Sequence, residues 1–256
     1  MDRVDRLGPR LAVDLCAATR ALAEAGIPYA VIGANALILQ GIVLPRTTRD
    51  LDLVVVVEGG LDKLRGILEA SGLRSTRISH RFVVGAGTEV DILPLSPQPT
   101  TIIEFPDGEW ISSLGLAEAV RCAEEIENGR CILRVASLPI LAAIKVHAAT
   151  VRMGNRDLPD ALAVMEQYEA HGTRRFEVDY QATPELAWET AGAFLLGCDA
   201  TSMLDEMTDE RVEQAIHTLL QDPRMGADQA WGQEKAPLLR AFRSGLATRL
   251  SNERLA

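Results

Sequence analysis

Asp50 and Asp52 stand one residue apart at the head of Leu53-Val54-Val55-Val56-Val57. Successive side chains of a strand alternate between faces, so the two carboxylates share one face, about 6.5–7 Å apart along the backbone. The apolar run behind them has the length and β-branched content of a buried strand. Two like charges at the mouth of such a strand repel one another and lose hydration, which calls for a cation between them. Mg²⁺ suits the position, because it takes a few carboxylate oxygens together with substrate phosphates. Asp91 alternates with Val90 and Ile92 in Thr88-Glu89-Val90-Asp91-Ile92-Leu93. If that segment lies beside the first strand, Asp91 joins Asp50 and Asp52. Three convergent carboxylates suit divalent ions that activate an attacking oxygen and neutralise a transferring phosphate. Glu89 can share the face as an outer acid. The plainer alternative makes Asp50 and Asp52 solvated acids that guard a strand end against edge pairing.

Other residues could serve the same chemistry. Gly33 follows Pro28-Tyr29-Ala30-Val31-Ile32 and precedes a short helix, a junction whose backbone N–H groups can cradle a phosphate. A glycine kept for close packing reads the same way. One helix and one turn separate Gly33 from Asp50, the spacing that brings a phosphate cradle and a cation site to the ends of neighbouring strands. In Arg46-Thr47-Thr48-Arg49-Asp50, Arg46 or Thr48 can reach a phosphate or orient Asp50, or simply solvate a loop. Lys145 and Arg152 fall beside the apolar stripe Ile140, Ile144, Ala148 and Val151 of a later helix. There they suit the lip of a triphosphate cleft, or snorkel to water. Asp157 reads as a helix cap with Pro159 in the first turn, and Asp160 favours the same positive helix end. His147 reads as a core or boundary residue. His80, His171 and His217 have no metal-ligand spacing, and Trp110, Trp188 and Trp231 are too dispersed for a base-stacking platform.

The elements that must position these residues form two groups. Helical spacing over 9–25 stops at Gly26, and strand 28–32 leads into a helix over about 35–41. Strand 50–57 follows, then a helix over 61–70. Strands 81–84 and 89–93 flank a hairpin at Gly85-Ala86-Gly87. Segment 97–106 reads as loop or edge strand, 116–128 as a helix, and 131–135 as the last strand. Beyond residue 138 the pattern is helical: 139–153, about 157–170, then stretches near 184–197, 209–220 and 235–250. The expected architecture is α+β, a mixed sheet flanked by helices over residues 1–136, followed by a helical domain over 137–256.

Composition narrows the function. The 256 residues are 47% hydrophobic, enough for a real core. No apolar run approaches a membrane span, and the charged start Met1-Asp2-Arg3-Val4-Asp5-Arg6 is no signal peptide. The four cysteines, Cys16, Cys122, Cys131 and Cys198, show no paired spacing, so a reduced cytoplasmic protein is expected. Of the net charge of −10, the stretch 160–223 holds 14 acids against three arginines. That excludes a broad duplex-DNA surface and leaves a nucleic-acid end, a protein or a metabolite as partner. Only three lysines occur, Lys63, Lys145 and Lys235.

Val31-Ile32-Gly33-Ala34-Asn35-Ala36, Arg46-Thr47-Thr48-Arg49-Asp50-Leu51-Asp52-Leu53 and Val90-Asp91-Ile92-Leu93 resemble the minimal nucleotidyltransferases of the DNA polymerase β superfamily. Leu141-Ala142-Ala143-Ile144-Lys145, Arg152 and Arg156-Asp157-Leu158-Pro159-Asp160 are similar to motifs of its AbiEii/AbiGii toxin-like branch. The resemblance runs over about residues 28–165. It implies that Asp50, Asp52 and Asp91 hold Mg²⁺, with Asp91 also deprotonating the acceptor. Gly33 and Ala34 would form the phosphate-binding turn, Lys145 would contact the nucleotide, and Asp157 or Asp160 would support that region. The family usually carries Gly-Ser or Gly-Gly at the turn; Ala34 offers only its N–H, a loss of about 1 kcal/mol. The implied reaction moves a nucleoside monophosphate from an NTP to an acceptor hydroxyl in a cleft between the two domains. Its implied setting is a toxin–antitoxin or phage-defence enzyme acting on tRNA or protein, with an antitoxin protein as a possible partner. The alternatives are an antibiotic nucleotidyltransferase of the aminoglycoside or lincosamide kind, and a non-catalytic nucleotide- or partner-binding module.

Overall fold

The computed structural model describes residues 7–48, 50–98, 100–127, 130–152, 156–183, 185–222 and 230–248. The chain divides into two compact units, Met1–Ser137 and Leu138–Ala256. No described helix is long and apolar enough to cross a membrane.

The first unit is a mixed sheet with flanking helices. In chain order it runs α1 (Pro9–Glu24), β1 (Tyr29–Ile32), α2 (Gly33–Leu39), β2 (Leu51–Val56), α3 (Gly60–Ala70), β3 (Arg74–Ser75), β4 (Arg81–Val84) and β5 (Thr88–Leu95). It continues with β6 (Ile102–Glu104), β7 (Trp110–Ser112), α4 (Leu116–Arg121), β8 (Glu124–Glu127) and β9 (Ile132–Val135). Seven strands form the main sheet in the order β3-β4-β5-β2-β1-β9-β8, and β6 pairs with β7 apart from it. β2 runs parallel to β5 and antiparallel to β1, while β1 runs parallel to β9. The apolar run after the acid pair therefore fills the middle of the sheet, and Leu53, Val54 and Val55 are fully buried. Pro9 suits the first turn of α1, where no N–H is missed.

Two expectations are corrected here. The helix expected over 116–128 stops at Arg121, and 124–127 pairs with β9 as an edge strand. Only Ile126 of Glu124-Glu125-Ile126-Glu127 is buried, which is strand alternation and not a helical stripe. The four cysteines are not all thiols: Cys16 on α1 and Cys131 ahead of β9 form a disulfide with Cα atoms 5.9 Å apart. Cys122 and Cys198 are free. A bond spanning 115 positions leaves no local spacing to read.

The second unit is helical: α5 (Leu138–Val151), α6 (Asp157–Gln167), α7 (Ala191–Met203), α8 (Glu206–Leu220) and α9 (Ala230–Leu246). The helix expected near 184–197 begins later, at Ala191, after short 3₁₀ turns at Arg174–Glu177 and Trp188–Thr190. Arg174 donates to both oxygens of Asp199 on α7, at 2.6 and 2.8 Å, and Tyr168 Oη donates to the same carboxylate. Burial works against the charge on Asp199, but hydrogen bonds from Arg174 and Tyr168 and the Arg174 charge prevail and hold its pKa below the ordinary carboxylate value.

Candidate active site

β2 and β5 bring their acids together. Across this parallel ladder Asp52 lies opposite Asp91, so the two side chains leave the same face as immediate neighbours. On β5 the intervening Thr88, Val90 and Ile92 are buried on the other face, while Glu89 is exposed and Asp91 half-buried. Asp50, one residue before β2, is exposed; with Thr48 and Glu89 it lines a cavity of about 650 Å³ whose far wall is the start of α1, including Arg10. That volume lies within the usual range for a small-molecule pocket.

Gly33 closes the other side of the acid pair. It begins α2 at φ +71°, a left-handed conformation that a Cβ makes costly. A Cβ there would stand 2.1 Å from Asp52 Oδ2. The backbone bend thus lies against the carboxylate with no room for a side chain between them. The residue preceding α2, Ile32, offers no side-chain cap to the first N–H groups of the helix. Ala34 is buried and adds no hydroxyl. Asn35, fully buried, donates from Nδ2 to the carbonyl of Asp50 at 2.5 Å, and its Oδ1 has no partner. Asn35 therefore fixes the backbone that carries Asp50, a role its position in a short helix did not announce.

Arg81 is the residue that sequence reasoning passed over. It lies opposite Asp91 across the β4–β5 hairpin. Its Nε donates to Asp91 Oδ1 at 2.7 Å and its Nη2 to Oδ2 at 2.8 Å, a bidentate pair, while Nη1 donates to Glu89 Oε2 at 2.9 Å. The hydrogen bond to Asp91 raises its pKa above the arginine norm against the cost of burial, with the charges of Asp91, Glu89 and Asp50 adding to it. The demand for a cation among the acids is met here by a guanidinium. Among the described residues no group of three His, Cys, Asp or Glu side chains is arranged to hold a metal ion. Asp50, Asp52 and Asp91 fit Mg²⁺ in donor type and shared face, but Arg81 stands in for the ion by claiming both oxygens of Asp91. The signal was legible only through register: a hairpin of three residues, Gly85-Ala86-Gly87, sets Arg81 across from Asp91.

Arg46 is half-buried in the approach to β2, and Arg49 lies outside the described residues. Lys145, Arg152, Asp157 and Asp160 belong to the second unit. Lys145 Nζ donates to Asp157 Oδ1 at 2.6 Å and stands 3.1 Å from Asp160 Oδ2, tying α5 to the first turn of α6. Asp160 is fully buried and the other two side chains are 11% exposed. The charge of Lys145 is matched within its own unit. Arg152 is exposed just beyond α5. Trp188 is not isolated: its ring centroid lies 4.8 Å from that of Phe176 and 6.3 Å from that of Tyr180.

No family model and no curated protein matches the chain. Among solved structures it is similar to an antigenic nucleotidyltransferase-like protein from Paracoccidioides brasiliensis, at 16% identity over 93% of each chain with a TM-score of 0.48. It is also similar to ANT(2'')-Ia in complex with adenylyl-2''-tobramycin, at 14% identity over 82% of this chain and 98% of that one, TM-score 0.39. A third likeness is to the CD-NTase CdnG of Bradyrhizobium diazoefficiens in complex with GTP, at 14% identity over 98% and 94% of the two chains, TM-score 0.28.

Proposed function

We propose that the chain is a nucleotidyltransferase of the AbiEii/AbiGii-like kind, moving a nucleoside monophosphate from an NTP to an acceptor hydroxyl. The observation that carries this reading is the Asp52–Asp91 register, with Gly33 bent against Asp52 and Asp50 opening onto the adjoining cavity. Asp50, Asp52 and Asp91 would hold Mg²⁺, which would neutralise phosphate charge and favour ionisation of the acceptor hydroxyl. The N–H groups of Gly33 and Ala34 receive a phosphate, Ile32 supplying no side-chain cap of its own. Asn35 keeps Asp50 in place through its carbonyl. The acceptor oxygen bonds to the α-phosphorus, the bond to the bridging oxygen breaks, pyrophosphate leaves, and Asp91 takes the hydroxyl proton. Fixed orientation and charge stabilisation supply most of the catalysis in such transfers. A toxin-type role acting on tRNA or protein is the associated biological reading. A small-molecule acceptor is the alternative that the size of the cavity admits.

A second reading is a non-catalytic nucleotide- or partner-binding module, favoured by Ala34 in the turn and by the hold of Arg81 on Asp91. Titration calorimetry with each NTP, with and without Mg²⁺, separates the two. The catalytic reading expects Mg²⁺-dependent NTP binding that Asp50→Ala/Asp52→Ala abolishes. Equal binding by wild type and the double variant refutes it. Labelled NTP incubated with total tRNA, proteins or an aminoglycoside panel then identifies the acceptor class.

A further inference from the structure

Arg81 cannot be discharged at any accessible pH, so it can leave Asp91 only by exchanging one anionic partner for another. The structure supplies the second partner. Glu89 is two residues from Asp91 on the same face of β5, already bonded to Arg81 Nη1 and 46% exposed at its side chain. Asp91, by contrast, is 17% exposed and sits beside Asp52. The guanidinium therefore spans an inner seat, where a cation would bind, and an outer seat at the rim. Both Asp91 oxygens are taken in the inner seat, so a divalent cation can reach Asp91 only by displacing the guanidinium.

We propose that Arg81 is a positioning residue that occupies the cation seat at Asp91 in the free protein and yields it, retreating to Glu89 and the incoming phosphates, when nucleotide and Mg²⁺ bind together. This rests on the nucleotidyltransferase reading above and adds regulation to it. Metal binding without nucleotide is held weak, and nucleotide binding strengthens it, because the phosphates offer Arg81 the counter-charge it gives up. The two ligands are reciprocally coupled through one side chain.

The test is a Mn²⁺ titration followed by loss of the free-ion magnetic-resonance signal, on the full chain, with and without a non-hydrolysable NTP analogue. Wild type is expected to bind Mn²⁺ weakly alone and about tenfold or more tightly with the analogue, the size expected from one charged hydrogen-bonded pair. Arg81→Met is expected to bind Mn²⁺ about tenfold more tightly without nucleotide and to lose most of the coupling; Arg81→Lys, which cannot make the bidentate contact, falls between. Glu89→Gln leaves the Asp91 pair intact but removes the outer seat, so metal affinity without nucleotide should fall a few-fold; this variant serves if Arg81→Met does not fold. Equal or weaker Mn²⁺ affinity in Arg81→Met, with wild type still binding Mn²⁺ in the presence of the analogue, overturns the inference alone. If no variant binds Mn²⁺, with or without analogue, the metal site itself fails and the inference goes with it.

Discussion

Gly33→Ala is the most economical probe of the site. Two costs can be assigned separately. Holding alanine at φ +71° costs about 1–2 kcal/mol, the penalty of a left-handed backbone. The new methyl would stand 2.1 Å from Asp52 Oδ2 and 2.8 Å from its Cγ, so Asp52 must leave its rotamer, a further cost of about 1 kcal/mol. The sum, about 2–3 kcal/mol, should lower the melting temperature of the first unit by roughly 5–10 °C. A double-mutant cycle with Asp52→Ala isolates the second cost, because the shortened side chain removes both close atoms and leaves only Cβ, at 3.0 Å. Calorimetric melting of the four proteins should give a coupling of about 1 kcal/mol. Nucleotide binding should fall in Gly33→Ala and stay low in the double variant. A Gly33→Ala protein that melts within a degree of wild type, or a cycle with no coupling, would show that the bend has room for a side chain beside the acid.

Cys16→Ser should destabilise the first unit, since a bridge across 115 positions corresponds to about 4.8 kcal/mol in the chain-entropy account; an unchanged melt under reductant would count against the bond. Lys145→Met leaves Asp157 and Asp160 facing each other in a buried setting and should cost about 3–5 kcal/mol, with recovery in an Asp157→Asn/Asp160→Asn background; a neutral Lys145→Met melt refutes the triad. Burial first, and the charge of Arg211 second, hold the His147 ring below its ordinary pKa of 6.5. The folded chain then binds fewer protons than the unfolded one, so this stability is full above about pH 6.5 and is lost as pH falls from there towards the folded value. Urea melts at pH 7.5 and 5.5 should show that loss, and His147→Gln should reduce the slope; an identical slope in the variant assigns the effect elsewhere.

The acid pair was legible because period-two alternation and an unbroken valine run point to a strand whatever its surroundings. β5 was legible for the same reason, and its acids follow from alternation alone. The strand order was not, since which edges pair depends on the whole sheet. Arg81 therefore looked like the opening residue of an ordinary strand. The segment 124–127 was misread because three glutamates continue a helical composition, and only pairing with β9 makes Ile126 an inward residue. Phe176 and Trp188 lie on 3₁₀ turns and Tyr180 on the loop between them, segments that carry no periodic signal.

The hairpin between β4 and β5 also acts as a ruler. Arg81 and Asp91 are partners only because three residues separate Val84 from Thr88. Insertion or loss of one residue there would turn the arginine towards the opposite side of the sheet while leaving every carboxylate where it is. Loop length alone, with no substitution in the site, could therefore separate chains that carry this internal counter-ion from chains that do not.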